Sequence, residues 1–131
     1  MQRGKLVECT VLLVEDDASL RQTIRDVLEL EGYRVLTAAD GVDGLDLLDR
    51  EEPNVILLDL MMPRMNGYQF AESLAGRKPA VAIPIILLTA DARAPDKAQQ
   101  VGASAWLHKP FEIDELVSTV ERACDDALSG S

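Results

Sequence analysis

A doubly wound α/β fold around a parallel five-stranded sheet is predicted by three features of this chain. Strand-like and helix-like segments alternate strictly, five times over, which calls for right-handed crossovers and parallel pairing. The run Asn54 to Leu60 is apolar on both faces, as suits a central strand covered by helices on each side. Three strand-like runs end in ionisable groups, at Glu15-Asp16-Asp17, at Asp59 and at His108-Lys109. Ligand sites in sheets of this kind lie at the carboxyl ends of the strands.

The first strand is predicted over Leu6 to Val14. The helix after it carries Leu20, Ile24, Val27, Leu28 and Glu31 on one face, with Asp17 as a candidate cap and Gly32 as its stop. Arg34 to Ala39 reads as a short second strand. Asp40 is expected to cap a helix bearing Val42, Leu45 and Leu48. Pro53 punctuates the chain before the third strand, and the turn-rich loop Met61-Met62-Pro63-Arg64-Met65-Asn66-Gly67 leads into a short helix from about Tyr68 to Ala75. Gly76 to Pro79 forms the next break. Ile83 to Leu88 reads as a fourth strand with Pro84 at its tolerated start, ending at Thr89. A helix poor in large apolar groups follows from Ala94 to Val101, and Gly102 stops it. Ala103 to Lys109 gives the fifth strand. In the last helix Ile113, Leu116, Val117, Val120 and Cys124 fall at helical spacing, with Glu112, Asp114 and Glu115 near its amino end.

A chain of 131 residues, 47% apolar and 27% charged, is one ordinary domain rather than a disordered segment. We expect that domain to span residues 5–127, with a flexible tail at 128–131. The formal net charge of -10 repels a phosphate backbone, so direct nucleic-acid binding is not expected. Cys9 and Cys124 form no disulfide-scaffold pattern and read as reduced intracellular thiols. Met1 to Cys9 lacks the character of a signal peptide, and no apolar stretch approaches the length of a membrane span. A cytoplasmic protein is the expectation.

If the first, third and fifth strands are parallel neighbours, Glu15, Asp16, Asp59 and Lys109 converge on one pocket. Glu15 and Asp16 alone read equally as a solvated acid pair favoured by a helix dipole. Three carboxylates brought together repel one another unless a cation lies between them, and Mg²⁺ suits such an oxygen-rich set. Asp59 then becomes a credible nucleophile toward phosphorus. In-line phosphoryl transfer asks mainly for positioning and charge neutralisation, a task for Lys109, while Thr89 offers a hydroxyl at the end of the fourth strand. The Lys109-Pro110 bond can be cis or trans, and the sequence leaves both open.

These residues resemble a known family. Val14-Glu15-Asp16-Asp17, Leu58-Asp59-Leu60-Met61-Met62-Pro63, Met65-Asn66-Gly67, Leu88-Thr89-Ala90 and Lys109-Pro110-Phe111, in this order, make the chain similar to the receiver domains of two-component response regulators over about Lys5 to Ala127. The resemblance implies a flavodoxin-like sheet in the order 2-1-3-4-5. It makes Asp59 the phosphoacceptor, Asp16 a direct metal ligand, Glu15 an assisting one and the backbone carbonyl of Met61 a further one. Thr89 would bond a phosphoryl oxygen and Lys109 would pair with the phosphate. The implied partners are a sensor histidine kinase or histidine phosphotransfer protein and a downstream protein target, with a monomer or a phosphorylation-dependent dimer as the oligomeric state. No activity beyond the domain's own phosphotransfer and dephosphorylation is implied. With no effector-like segment after Leu128, output is expected through a partner, unless the chain is part of a longer protein.

Two positions depart from the family pattern. Trp106 stands where a switching tyrosine or phenylalanine is usual, and indole offers only an N–H donor. Asn66 replaces a common aspartate, a change expected to be neutral for chemistry. The segment from Thr89 to Lys109 is also slightly short. An unphosphorylated adaptor module is the alternative function. A flavin site would need a phosphate cradle where Glu15-Asp16-Asp17 stands, and an aspartate-based hydrolase would need a second acid two residues after Asp59.

Overall fold

The computed structural model describes residues 9–77 and 83–128. Five strands, β1 (Thr10–Val14), β2 (Arg34–Ala38), β3 (Val55–Asp59), β4 (Ile85–Thr89) and β5 (Ala105–His108), alternate with five helices. The helices are α1 (Ala18–Leu30), α2 (Gly41–Leu48), α3 (Gly67–Ala75), α4 (Ala94–Val101) and α5 (Ile113–Leu128). All strands pair in parallel, in the order β2-β1-β3-β4-β5, as expected.

The three central strands are apolar at nearly every position because each side of the sheet is covered. Successive side chains point to opposite faces. Val11 and Leu13 of β1 join Val55, Leu57, Ile86 and Leu88 in a layer with Ile24 and Leu28 of α1 and Leu116 and Val120 of α5. Leu12 and Val14 join Ile56, Leu58 and Leu87 in the opposite layer, with Phe70 of α3 and Ala98 and Val101 of α4. Each fully buried Leu or Ile of this kind contributes about 1.5–3 kcal/mol relative to exposure.

Helix ends follow the polar residues that can satisfy free backbone N–H groups. Asp17 accepts from the Leu20 amide and Asp40 from the Asp43 amide. Asn66 and Gln69 form a reciprocal capping box at the start of α3. Asparagine caps as well as aspartate, so the departure at this position keeps the helix start intact. Gly102, with φ 73°, ends α4 in the left-handed conformation, as its position predicted.

Some boundaries differ. Leu6 to Glu8, assigned to the first strand, and Lys78 and Pro79 of the predicted break lie outside the described residues. The fourth strand starts at Ile85 rather than Ile83: Pro84 has no amide to give, although its carbonyl still accepts from Ile56 N at 3.0 Å. The fifth strand is shorter at both ends; at its start the Ala103 amide is spent on closing α4 at Ala98 O. Leu128, placed in the expected tail, is the last residue of α5.

The two cysteines correct the sequence reading. Cys9 and Cys124 are joined in a disulfide with their Cα atoms 6.2 Å apart, across 115 residues of sequence. Cys9 precedes β1 on the same alternation as Val11 and Leu13, and Cys124 continues the four-residue stripe Leu116, Val120 of α5. Both side chains therefore enter the same layer, where they are buried. Spacing in the sequence carried no trace of that meeting.

Candidate functional site

Strand register brings the ionisable residues to one edge of the sheet. Val14 pairs with Leu58, so Glu15 and Asp59, each the next residue, end level with one another. Asp59 pairs with Leu88, and Thr89 pairs with His108, which sets Thr89 and Lys109 at the same carboxyl edge. Glu15, Asp16, Asp59 and Lys109, predicted to converge, do so.

Glu15 is fully buried. Its amide extends the sheet by donating to Ala38 O at 3.0 Å. One carboxylate oxygen accepts from the Asp17 amide at 3.0 Å, and the other accepts from Lys109 Nζ at 3.0 Å. Lys109 Nζ also donates to Asp59 Oδ1 at 3.3 Å. The lysine thus bridges the ends of β1 and β3 from its place after β5, at the cis Lys109-Pro110 bond. Asp16 is exposed at the rim.

One oxygen from each of Glu15, Asp16 and Asp59 lies within 4.8 Å of the others. Burial, then a hydrogen bond with Asp16, then the charge of Glu15 push the Asp59 carboxyl up to about 7, against the opposing pull of Lys109. Burial acts to lower the pKa of Lys109, but its hydrogen bond to Glu15 and the charge of Asp59 outweigh that and raise it. So crowded a set of acids, held at one edge by an all-oxygen donor group, fits a hard divalent cation such as Mg²⁺.

Thr89 is buried at the end of β4 beside this cluster, and its hydroxyl accepts from the Asp91 amide at 3.0 Å. Met61 lies in the loop just after β3 with its side chain largely exposed. Trp106 is 45% exposed on edge strand β5 and belongs to neither apolar layer, unlike a packed core aromatic. His108, expected as a partly exposed strand-end residue, is exposed.

Two arginines escaped the sequence reading. Arg21, one turn into α1, donates to the carbonyl of Glu15 at 2.7 Å and to that of Asp16 at 3.4 Å, bracing the turn that presents both acids. Arg64, in the loop after β3, pairs with Asp40 and Asp43. Arg21 had a signal, since a base five residues past an acid pair on a helix start can reach back over the turn. Arg64 had none, because its partners lie more than twenty residues away.

Comparison with known proteins gives a consistent picture. The model of the response regulator receiver domain matches residues 11–121. A probable transcriptional regulator, ycf27, of Porphyridium aerugineum is 37% identical over 126 residues, covering 92% of this chain and 51% of the relative. The response regulator MprA of Mycobacterium sp. (strain KMS) is 36% identical over 110 residues, 82% of this chain and 47% of the relative. The chain spans about half the length of these curated relatives. Among solved structures, the chemotaxis response regulator CheY4 of Vibrio cholerae superposes with a TM-score of 0.82 at 36% identity, covering 89% of this chain and 99% of that one. The receiver domain of a sensor histidine kinase from Pseudomonas aeruginosa, solved with a magnesium ion coordinated in its active site cleft, gives a TM-score of 0.82 at 31% identity, covering 91% of this chain and 99% of that one.

Proposed function

Because this chain belongs to the response regulator receiver domain family, we propose that it is a phosphorylation switch whose phosphoacceptor is Asp59. The donor is a phosphohistidine on a sensor histidine kinase or a histidine phosphotransfer protein. The Asp59 carboxylate attacks phosphorus in line while the electron pair of the broken P–N bond stays on the imidazole. Asp59 must give up its proton to act, and Lys109 favours that ionised form. Lys109 can then follow the charge onto the new phosphoryl oxygens while keeping its bond to Glu15. Thr89 exchanges its bond to the Asp91 amide for one to the phosphoryl group, and that exchange is the local change passed to the surface around β5.

Glu15, Asp16, Asp59 and the Met61 carbonyl would hold Mg²⁺. When bound, that ion neutralises charge on the acids and on the incoming phosphoryl oxygens. A bistable face biased by the modification is then read by a downstream protein. Acidic overall charge supports a protein partner for this segment rather than a nucleic acid. The cytoplasm is the compartment this reading implies. Disulfides are rare there, so the buried Cys9–Cys124 bond is a feature that runs against that compartment.

The single observation that carries the proposal is Lys109 Nζ donating to both Glu15 and Asp59 within the acid cluster. An adaptor that is never phosphorylated has no use for that arrangement. Incubation with a phosphorylated histidine kinase and Mg²⁺ is expected to give an acid-stable, base-labile phosphoryl group on the wild type and none on Asp59→Asn. Equal labelling of the two would sink it.

A further inference from the structure

We infer that Arg64 is a positioning residue for the metal-holding side of the site: it ties the loop carrying the Met61 carbonyl to the first turn of α2. The inference rests on the proposed Mg²⁺ role of Met61. The loop leaves β3 at Leu60 and closes on itself where Gly67 N donates to Leu60 O at 2.8 Å. Between those points Arg64 adopts φ 61°, the left-handed region that glycine or asparagine enters far more readily.

The arginine side chain accounts for that choice. Its Nε donates to Asp40 Oδ2 at 2.6 Å and its Nη2 to Asp43 Oδ1 at 3.2 Å. Asp40 is itself fixed, since its other oxygen caps α2 by accepting from the Asp43 amide at 3.0 Å. One buried carboxylate therefore holds a helix start with one oxygen and the loop with the other. The arginine keeps Asp40 ionised, holding its carboxyl below the usual range. A second tether lies next door: Gly41 N donates to Met65 O at 3.3 Å, and a Cβ on Gly41 would stand 2.7 Å from Met65 Cγ.

Met61 to Pro63 are thus suspended between the end of β3 and the anchor at Arg64 and Met65. The exposed Met61 side chain has little packing to fix its own backbone. The direction of its carbonyl is left to the anchors. Arg64 makes no hydrogen bond or ion pair with Asp59 or Lys109, so its loss should be felt through the loop. Removing groups that orient a metal's ligands typically weakens metal affinity by roughly 10- to 100-fold.

Calorimetric titration with Mg²⁺ alone tests this on the wild type, Arg64→Gly and Arg64→Lys, each checked by urea denaturation for folding. Arg64→Gly keeps access to the left-handed backbone and removes the whole side chain, guanidinium included. Its Mg²⁺ Kd is expected to rise about tenfold or more, with Arg64→Lys in between because lysine cannot bridge two carboxylates as a fork. A folded Arg64→Gly with a Kd within about twofold of the wild type would overturn the inference while leaving the function standing. A wild type that binds no Mg²⁺ would overturn both. If Arg64→Gly does not fold, Asp43→Asn, which removes the more exposed half of the clamp, carries the test, with a smaller rise expected and an unchanged Kd counting against it.

Discussion

Replacing Asp59 with asparagine is expected to stabilise the metal-free protein above neutral pH, because the native carboxylate is held where it least favours its charge. Its pKa stands at about 7 in the folded chain against 3.8 for the ordinary group, raised by burial, by Asp16 and by Glu15. A carboxyl that holds its proton more tightly folded than unfolded loses stability for the folded state as pH rises from about 4 to about 7. The gap amounts to about 4 kcal/mol at pH 8 and to less than about half of that at pH 5. Asparagine has no such slope. It also gives up the Lys109 bond to Asp59, but Lys109 keeps the nearer Glu15 at 3.0 Å, so the net gain should be about 2–4 kcal/mol at pH 8. Urea denaturation in chelator at the two pH values reads it directly. Equal stability of wild type and Asp59→Asn at pH 8, or a gain that does not shrink at pH 5, would refute the electrostatic account.

Reduction of the Cys9–Cys124 bond frees a loop of 115 residues. Loop-closure entropy then predicts a loss of up to about 5 kcal/mol, a fall of roughly 15–18 °C in Tm for a chain of this length; melting curves with and without a reducing agent measure it, and superimposable curves would show the bond adds nothing. Gly67→Ala would place a Cβ 2.8 Å from Asp59 O and 2.9 Å from Leu60 Cα, both backbone atoms that have nowhere to go. A destabilisation of about 1–3 kcal/mol follows, together with weaker Mg²⁺ binding, and a variant equal to wild type in both titrations would contradict the packing described.

The fold was largely legible because its signals are local. Apolar runs such as Val55 to Leu58, buried on both faces, announce central parallel strands, and Asp17, Asp40, Gly32 and Gly102 mark helix ends through the backbone chemistry of the residue itself. The site was legible for a related reason: in a parallel sheet, the residue after each apolar run lands at the same edge, so Glu15, Asp59, Thr89 and Lys109 could be gathered without knowing any distance. What escaped is long-range and leaves no local mark. The pairing of Cys9 with Cys124 depends on which layer each side chain enters, and the Arg64 clamp depends on how close the loop after β3 comes to α2. Trp106 was ambiguous for a different cause, since an edge strand only four residues long gives an alternation too short to say which face is wet.

A covalent tie between positions 9 and 124 turns nearly the whole described polypeptide into a hoop. A protease that cuts once at an exposed turn inside that hoop, such as the one around Pro63 and Arg64, would yield two pieces that still travel as one molecule until a thiol releases them. Topologically, new ends could be opened in such a turn while positions 9 and 124 stay joined.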